Sequence, residues 1–266
     1  MKNHICISIS EKPGNFGRIV HNAGYKALGL NWVYIPFKVT NLQDTIKGIR
    51  ALGIRGCSVS MPFKEKVLRF LDEIDPMAKQ IGSVNTIVNH NGILKGYNTD
   101  FIGFRESFKK LSVEKHQKLL ILGTGGASKA ILAAVKDLKF KHILISGRNY
   151  NKTKKLALKY NVNLIKWNRR ENCIPDILIN ATPIGMKPKT NLMPVSKEFV
   201  KNLQGVFDVI VNPRETKLIK TAKDLKIKNQ GGYLMALNQA AAQFRLYTCK
   251  NAPVRVMEKS LKINMI

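Results

Sequence analysis

The stretch Lys118-Leu-Leu-Ile-Leu122, followed by Gly123-Thr-Gly-Gly-Ala-Ser-Lys-Ala130, decides the fold of this chain. A short apolar strand pattern runs directly into a glycine-rich turn, and a helical pattern over residues 131–138 follows the turn. A strand that passes through such a turn into a helix is the fingerprint of a dinucleotide-binding βαβ unit. The stretch therefore predicts a nucleotide-binding parallel sheet.

Each residue of the turn has an expected part in holding a dinucleotide. Gly123 permits the tight turn, and Gly125 removes a side chain where a pyrophosphate must approach the backbone. Gly126 and Ala127 complete the turn at the helix N-terminus, whose amide hydrogens attract an anion. Ser128 stands at the third glycine position of the general pattern. The alternative is an ordinary glycine-rich loop that binds nothing.

The next predicted strand, residues 143–146, ends at a position that separates NAD from NADP enzymes. NAD enzymes usually place an acid there to hold the ribose hydroxyls, but this chain has Arg148 and Asn149. Arg148, with Lys152 one turn further on, puts positive charge where the 2′-phosphate of NADP would lie. We therefore expect NADP as the cofactor. Lys152 could instead belong to a solvated basic helix start.

Apolar strand patterns alternate with amphipathic helical patterns along the whole chain, which is typical of an α/β fold. The length of 266 residues favours two domains. Strands are predicted at 5–8, 31–36, 56–59, 118–122, 143–146, 163–166, 177–180 and 206–209. Helices are predicted at 16–28, 42–52, 64–71, 101–111 and 236–246.

The composition excludes several classes of protein. Hydrophobic residues make up 44% of the chain in short runs, none near the roughly 18 residues needed to cross a bilayer. The first residues resemble no signal peptide, so a cytoplasmic protein without a membrane partner is expected. The four cysteines form no CxxC pair and the histidines no ligand-spaced cluster, so neither a disulfide framework nor a metal site is expected. Their apolar neighbours predict four buried, inert thiols.

The formal net charge of +28 raises the question of a polyanionic partner. The basic residues are scattered, and the densest stretch, residues 136–170, holds eleven Lys and Arg against one acid. No nucleic-acid recognition motif accompanies this charge, so we do not expect a nucleic-acid partner.

Three segments set polar groups among apolar residues in the first half of the chain. They are Ser58-Val-Ser-Met-Pro-Phe-Lys64, Gly82-Ser-Val-Asn-Thr86 and Gly96-Tyr-Asn-Thr-Asp100. A proline bend after a strand places Lys64 at the predicted start of a helix. Asp100 taken alone is explained as the cap of the helix that follows it.

Together the three segments resemble the shikimate dehydrogenase family, whose motifs V-T-x-P-x-K, G-A-x-N-T and N-T-D-x-x-G they match in order. The glycine turn resembles the family's G-x-G-G-A. Residues 180–186, Asn-Ala-Thr-Pro-Ile-Gly-Met, resemble its N-A-T-P-x-G-M, and residues 231–239 its G-x-x-M-x-x-x-Q. The resemblance thus extends over most of the chain.

The resemblance implies a two-domain α/β fold in which a Rossmann-type NADP-binding domain, residues 101–236, is inserted into an α/β substrate-binding domain, residues 1–100 and 237–266. It also implies roles for single residues. Lys64 and Asp100 correspond to the family's catalytic pair. Residues corresponding to substrate-binding positions are Ser60, Asn85 and Gln239. Residues corresponding to cofactor-binding positions are Thr182, Met186, Gly232 and Met235, of which the last three resemble residues that line the family's nicotinamide pocket.

The chain departs from the family at the site of the substrate carboxylate. The family has two serines before its His-Asn pair, but this chain has Asn15 and Gly17 at those positions. It also lacks the tyrosine expected after Asp208. Three functions therefore stay open: NADP-dependent reduction of 3-dehydroshikimate to shikimate, the same chemistry on quinate or another cyclic hydroxy acid, and noncatalytic NADP binding. A monomer or a homodimer is expected.

Overall fold

The computed structural model describes residues 4–264, with side chains up to residue 261. The chain divides into two compact units. The first comprises the chain up to Ile102 and from Leu237 onward, and the second comprises Gly103–Ala236. Each unit is a six-stranded sheet with helices, so the predicted α/β class with two domains is confirmed.

The first unit contains a mixed sheet. Its strands are β1 (His4–Ser10), β2 (Trp32–Lys38), β3 (Gly56–Val59), β4 (Glu73–Ile74), β5 (Thr86–His90) and β6 (Ile93–Tyr97), in the order β2-β1-β3-β5-β6-β4. Pairing is parallel between β1 and its two neighbours, and antiparallel from β3 to β5 and from β5 to β6. The three predicted strands are confirmed. The β4, β5 and β6 strands were missed because their residues show no regular alternation of apolar and polar side chains.

The helices of this part of the chain are α1 (Phe16–Ala27), α2 (Leu42–Ala51), α3 (Pro76–Ile81) and α4 (Thr99–Phe108). The helix predicted at residues 64–71 is wrong, because only a short 3-10 helix, Lys66–Phe70, forms there. Phe63 and Val67 are buried in the core, and Leu71 is already extended where the chain enters β4. The short distance between Pro62 and β4 therefore leaves room for little more than one turn.

The second unit contains a parallel sheet with the Rossmann strand order. Its strands are β7 (Leu119–Leu122), β8 (Ile143–Gly147), β9 (Asn163–Lys166), β10 (Ile177–Asn180), β11 (Gly205–Asp208) and β12 (Lys228–Gly231), in the order β12-β11-β10-β7-β8-β9. All described pairs are parallel. The order reverses at β7, and ligands of such sheets bind beyond the carboxyl ends of the strands at this point. The five predicted strands are confirmed, whereas β12 was missed because Lys-Asn-Gln-Gly carries no apolar side chain.

The remaining helices are α5 (Gly126–Asp137), α6 (Tyr150–Tyr160), α7 (Lys197–Lys201), α8 (Lys217–Asp224), α9 (Gly232–Thr248) and α10 (Val254–Asn264). The α5 helix begins five residues before its predicted start at Ile131. Its first turn consists of small and polar residues, so the apolar periodicity appears only later. Among the described residues, no helix is both long and apolar enough to cross a membrane.

The cysteines differ in their exposure. Cys6 and Cys57 are buried, Cys173 is half-buried and Cys249 is exposed. Burial raises the pKa of the Cys6 thiol to about 12, so this thiol is inert at neutral pH. The prediction of four buried thiols is therefore wrong for Cys249, which follows the end of α9.

Candidate functional site

Lys64 and Asp100 form an ion pair on the first unit. The Lys64 ammonium donates to Asp100 Oδ2 over 2.5 Å. Lys64 lies in the turn after β3, and Asp100 lies in the first turn of α4, directly after β6. The side chains are 19% and 11% exposed, so both are largely shielded while still open to a ligand. An ammonium and a carboxylate in this arrangement can exchange a proton with a bound hydroxyl group.

Asp100 does not cap the helix that it belongs to. The side-chain oxygen of Asn98 accepts the amide hydrogen of Phe101 instead, over 3.2 Å. The two carboxylate oxygens of Asp100 bind Lys64 Nζ and Asn85 Nδ2, the latter at 2.9 Å. The capping explanation for Asp100 is therefore wrong, and the carboxylate serves the polar cluster around Lys64.

Asn85 is held in one orientation by its neighbours. Its side-chain oxygen accepts hydrogen bonds from the backbone amide of Thr99 at 2.7 Å and from the Thr86 hydroxyl at 2.8 Å. This leaves Nδ2 to face Asp100. Gln239 joins the same cluster from α9, because its Nε2 donates to the Thr99 hydroxyl at 3.1 Å. The structure thus brings Lys64, Asp100, Asn85 and Gln239 together.

The two other predicted substrate-binding residues lie at the exposed edge of this unit. Asn15 precedes α1, and its side chain forms no capping hydrogen bond. Ser60 is exposed and is held by its backbone amide, which donates to the carbonyl of Ile9 at 2.9 Å. Neither residue touches the Lys64 cluster through a hydrogen bond among the described residues, so their predicted role stays a prediction.

Tyr34 is a residue of this region that the sequence analysis missed. Its ring stacks on His21 at a centroid distance of 4.6 Å. Burial raises the pKa of the phenol, which therefore stays protonated. A Cβ atom on Gly17 would lie 2.9 Å from the Tyr34 hydroxyl. A phenol thus lies next to the place where the family carries its second serine.

The glycine turn of the second unit has the geometry that its sequence predicts. Gly123 has a φ of 120°, and its amide donates to the carbonyl of Ser146 at 2.8 Å. A Cβ atom there would lie 2.6 Å from the carbonyl oxygen of Ala181. The backbone conformation requires glycine at this position, and so does the close approach of Ala181, which follows the neighbouring strand β10.

The open side of the turn fits an anion. Gly125 precedes α5, and a Cβ atom on it would meet no atom within 4 Å. Gly126 and Ala127 form the start of α5, and no side chain caps this helix. The turn is thus open at Gly125, and the first amide groups of α5 lack a side-chain cap, as a pyrophosphate site requires. The buried Ser128 hydroxyl also has no hydrogen-bond partner among the described residues.

The carboxyl end of β8 carries positive charge and no acid. Arg148, Asn149 and Lys152 are exposed, and neither Arg148 nor Lys152 forms an ion pair within the described part of the chain. The Asn149 side chain accepts the amide hydrogen of Lys152 at 2.9 Å and so caps α6. Arg148 and Lys152 are thus available for a phosphate group, while Asn149 already has a structural role.

A buried carboxylate organises the loop after β10. Asp208 accepts hydrogen bonds from the Thr216 hydroxyl at 2.7 Å, from Asn180 Nδ2 at 3.1 Å and from the Ile210 amide at 3.1 Å. Asn180 in turn accepts the hydroxyl hydrogen of Thr182 at 2.7 Å. Burial raises the pKa of Asp208 to about 6. Asp208 therefore holds Asn180, and Asn180 holds the predicted cofactor residue Thr182. The sequence analysis did not single out this acid.

The other predicted cofactor residues of this unit differ in exposure. Met186 is 38% exposed and follows the Thr182 loop, whereas Met235 is 6% exposed in the first turn of α9. Gly232 starts α9 so close to the carbonyl groups of Val209 and Ile210 that any side chain would collide with them. The structure places them all in the second unit, and their contact with a cofactor stays a prediction.

Fold and site together define a class of protein. One unit has the Rossmann strand order and an uncapped glycine turn, with basic residues at the end of β8, and the other carries an ammonium–carboxylate pair amid hydrogen-bonding side chains. No group of three or more metal-ligand side chains occurs among residues 4–264. These are the features of a pyridine-nucleotide-dependent dehydrogenase.

Comparison with known proteins assigns the family. A family model described as "Shikimate dehydrogenase substrate binding domain" matches residues 16–87, and one described as "Shikimate / quinate 5-dehydrogenase" matches residues 106–227. The chain belongs to the shikimate dehydrogenase family. The family predicted from the motifs is thereby confirmed.

Individual relatives cover nearly the whole chain. A shikimate dehydrogenase-like protein of Haemophilus influenzae is 44% identical over 92% of this chain and 90% of its own length. A shikimate dehydrogenase (NADP(+)) of Caldanaerobacter subterraneus is 42% identical over 86% of each chain. A crystal structure of a shikimate dehydrogenase in complex with NADP+ has a TM-score of 0.90 at 33% identity, covering 99% of this chain and 96% of that one.

Proposed function

We propose that this protein is an NADP-dependent oxidoreductase that reversibly reduces 3-dehydroshikimate to shikimate. The proposal depends above all on one observation, the contact of 2.5 Å between Lys64 Nζ and Asp100 Oδ2 on the first unit. In this proposal the unit that ends at Ile102 and resumes at Leu237 binds the hydroxy acid, and the unit Gly103–Ala236 binds the cofactor.

The residues of the first unit supply the proton chemistry. When bound, NADP would supply a hydride acceptor for the carbon that carries the reacting hydroxyl group, and NADPH would supply the hydride donor in the reverse direction. The hydroxyl group must lose its proton as the hydride leaves, and Lys64 exchanges that proton and stabilises the developing negative charge. Asp100 holds the Lys64 ammonium in place. Asn85 and Gln239 orient the ring hydroxyl groups through hydrogen bonds.

The residues of the second unit fit NADP. The backbone amides at the start of α5 have no side-chain cap and follow the open turn at Gly125, so they can bind the pyrophosphate. Arg148 and Lys152 offer unpaired positive charge for the 2′-phosphate, and no acid at the end of β8 competes for the ribose. Asn149, Thr182, Met186, Gly232 and Met235 are the further residues expected around the cofactor.

The decisive experiment follows the absorbance of NADPH while the purified protein is given NADP+ and shikimate. We expect turnover that depends on shikimate concentration and that is much weaker with NAD+. The same assay with quinate and with a cyclic alcohol lacking the carboxylate serves as the control. No turnover with any acid would contradict the enzyme assignment and favour a noncatalytic NADP-binding protein.

A second candidate function has its own supporting observation. Asn15 offers an amide where the family has a serine, and Gly17 offers no side chain at all, with the Tyr34 phenol lying beside it. The carboxylate of the substrate would therefore meet a different set of donors. Because a hydrogen bond to a charged group is worth about 1.5–3 kcal/mol, this change can alter affinity by about 10- to 100-fold. Selective turnover of quinate or another cyclic hydroxy acid over shikimate would support this second candidate.

A further inference from the structure

Gln243 lies at the junction of three elements behind the ion pair. It belongs to α9 and is 2% exposed. Its Nε2 lies within hydrogen-bonding distance of three acceptors, the Thr86 hydroxyl at 2.9 Å, the Ser58 hydroxyl at 3.1 Å and the backbone carbonyl of Asn85 at 3.3 Å, which share its two hydrogens. One amide group thus contacts Ser58 on β3 and the residues Asn85 and Thr86, where β5 begins.

The orientation of the Gln243 amide follows from these partners. The Asn85 carbonyl can only accept a hydrogen bond, so Nε2 must face it and Oε1 must face the other way. There it lies 3.4 Å from His21 Nε2. Since Oε1 can only accept, the His21 ring must carry its proton on Nε2.

His21 is suited to be a permanent donor to Gln243. The ring is fully buried and stacks on Tyr34 at 4.6 Å and on Phe244 at 6.2 Å. Its Nδ1 has no hydrogen-bond partner among the described residues. Burial lowers the pKa of His21 to about 4, so the ring is neutral at physiological pH. A neutral ring with a free Nδ1 donates through Nε2 alone.

The hydrogen bonds continue from Gln243 to the ion pair. The Thr86 hydroxyl, which accepts from Gln243, donates to Asn85 Oδ1 at 2.8 Å. Asn85 Nδ2 then donates to Asp100 Oδ1, and the other oxygen of Asp100 binds Lys64. Gln243 therefore acts on Asn85 twice, through its backbone carbonyl and through Thr86.

We propose that Gln243 and His21 form a positioning pair that holds Asn85, and through it Asp100, in the geometry needed beside Lys64. Neither residue touches the substrate or the cofactor in this proposal. It rests on the proposed dehydrogenase function, and it adds two residues that the chemistry of the ion pair does not itself require. Loss of either partner leaves a buried polar group unpaired and lets Asn85 shift.

The test compares Gln243→Met, His21→Phe and the double variant. Met and Phe keep much of the buried volume but remove the hydrogen bond. We expect kcat with shikimate to fall about 10- to 100-fold in each single variant, because small displacements of catalytic groups have effects of this size. The dissociation constant for NADP+ should stay the same. The double variant should be no slower than the slower single variant, since the two residues act as a unit.

The matched control is Tyr25→Phe, which changes another buried ring of the same cluster, 6.0 Å from His21, without touching the chain of hydrogen bonds. Its kcat should match that of the natural protein. Unchanged kcat in the Gln243 and His21 variants, or multiplied effects in the double variant, would overturn the proposal. A natural protein that turns over no acid would instead refute the proposed function.

A second measurement needs no substrate. Nitrogen NMR of the histidine rings should find His21 neutral and protonated on Nε2 throughout pH 5.5 to 8. The side-chain amide signal of Asn85 should shift in Gln243→Met and stay in place in Tyr25→Phe. A His21 ring protonated on Nδ1, or an Asn85 amide signal that stays unchanged in Gln243→Met, would show that the positioning pair does not exist.

Discussion

The glycine turn of the second unit and the polar cluster of the first unit hold their ligand groups in opposite ways. The turn offers backbone groups, since Gly123 adopts a φ of 120° and the first amides of α5 have no side-chain cap. The cluster works through side chains from distant parts of the chain, since Gln239 reaches Thr99 across 140 positions of sequence. A turn of this kind is encoded by a few consecutive residues, whereas the cluster exists only once the whole unit has folded.

This contrast has a consequence for substitutions. A change in the turn should act on cofactor binding and on local stability, because its groups are fixed by neighbouring backbone. A change in the cluster should act on turnover, because its groups are fixed by one another. Substitutions in each region can therefore separate the two effects.

The largest effect is expected from Lys64→Ala. Removing the ammonium takes away the group that we propose exchanges the proton and stabilises the developing charge, so kcat with shikimate should fall about 10³-fold. The dissociation constant for NADP+, measured by fluorescence titration, should stay within about twofold. Lys66→Ala, an exposed lysine two positions further on, is the control and should keep full activity. Full activity in Lys64→Ala would remove Lys64 from the mechanism.

The sequence predicted the strands of the second unit better than those of the first, because the features of the second unit are encoded by consecutive residues. Five of its strands are short apolar runs, and the turn at Gly123 follows directly from consecutive residues. Among the strands of this unit, the sequence analysis did not predict the polar edge strand β12. In the first unit, β5 and β6 lack a regular pattern, and Lys64 and Asp100 were identified through a resemblance rather than from spacing.

The residues that escaped prediction make their contacts across long sequence distances. In the sequence, nothing distinguishes Tyr34 from other tyrosines in strands. Its importance follows only from the position of its ring beside Gly17 and His21. Gln243 lies in an alanine-rich helix, 157 positions from Thr86. Asp208 was visible in the sequence, but its burial and its three donors depend on the packing of β10 and β11. Tertiary contacts of this kind leave no local signal.

The next largest effect concerns the stability of the second unit and its dependence on pH. Burial raises the pKa of Asp208 from 3.8 to about 6, so the folded state binds a proton more tightly than the unfolded state. Stability from this group is therefore present below pH 3.8 and is lost as the pH rises through 6. The loss amounts to about 3 kcal/mol above pH 7.

Asp208→Asn tests this loss, because an asparagine keeps the shape and can accept from Ile210 and Asn180 while donating to Thr216. In urea unfolding, the variant should gain stability over the natural protein as the pH rises from 4 to 7, by about 2 kcal/mol. Asp224→Asn, an exposed acid on α8, should give no such trend. A difference that does not change with pH would mean that Asp208 is not the group that titrates.

A smaller effect is expected at the 2′-phosphate. Arg148→Asp should raise the dissociation constant for NADP+ about 10- to 100-fold, because it would remove the proposed charge-assisted hydrogen bond to the phosphate and add repulsion. The constant for NAD+ should change far less. Lys197→Asp makes the same change of charge on an exposed lysine at the start of α7 and serves as the control. Equal weakening of both cofactors in Arg148→Asp would contradict the assignment of Arg148 to the phosphate.

The smallest effect separates a structural role from a binding role at Asn149. Its side chain caps α6 by accepting the Lys152 amide hydrogen at 2.9 Å. Asn149→Ala should therefore cost about 1 kcal/mol in urea unfolding, and Asn149→Ser, which keeps a capping oxygen, much less. If the cap is its whole function, both variants should bind NADP+ with the same preference over NAD+ as the natural protein. A lost preference in the stable serine variant would instead assign Asn149 to the cofactor, because the cap would be intact while the ligand contact is not.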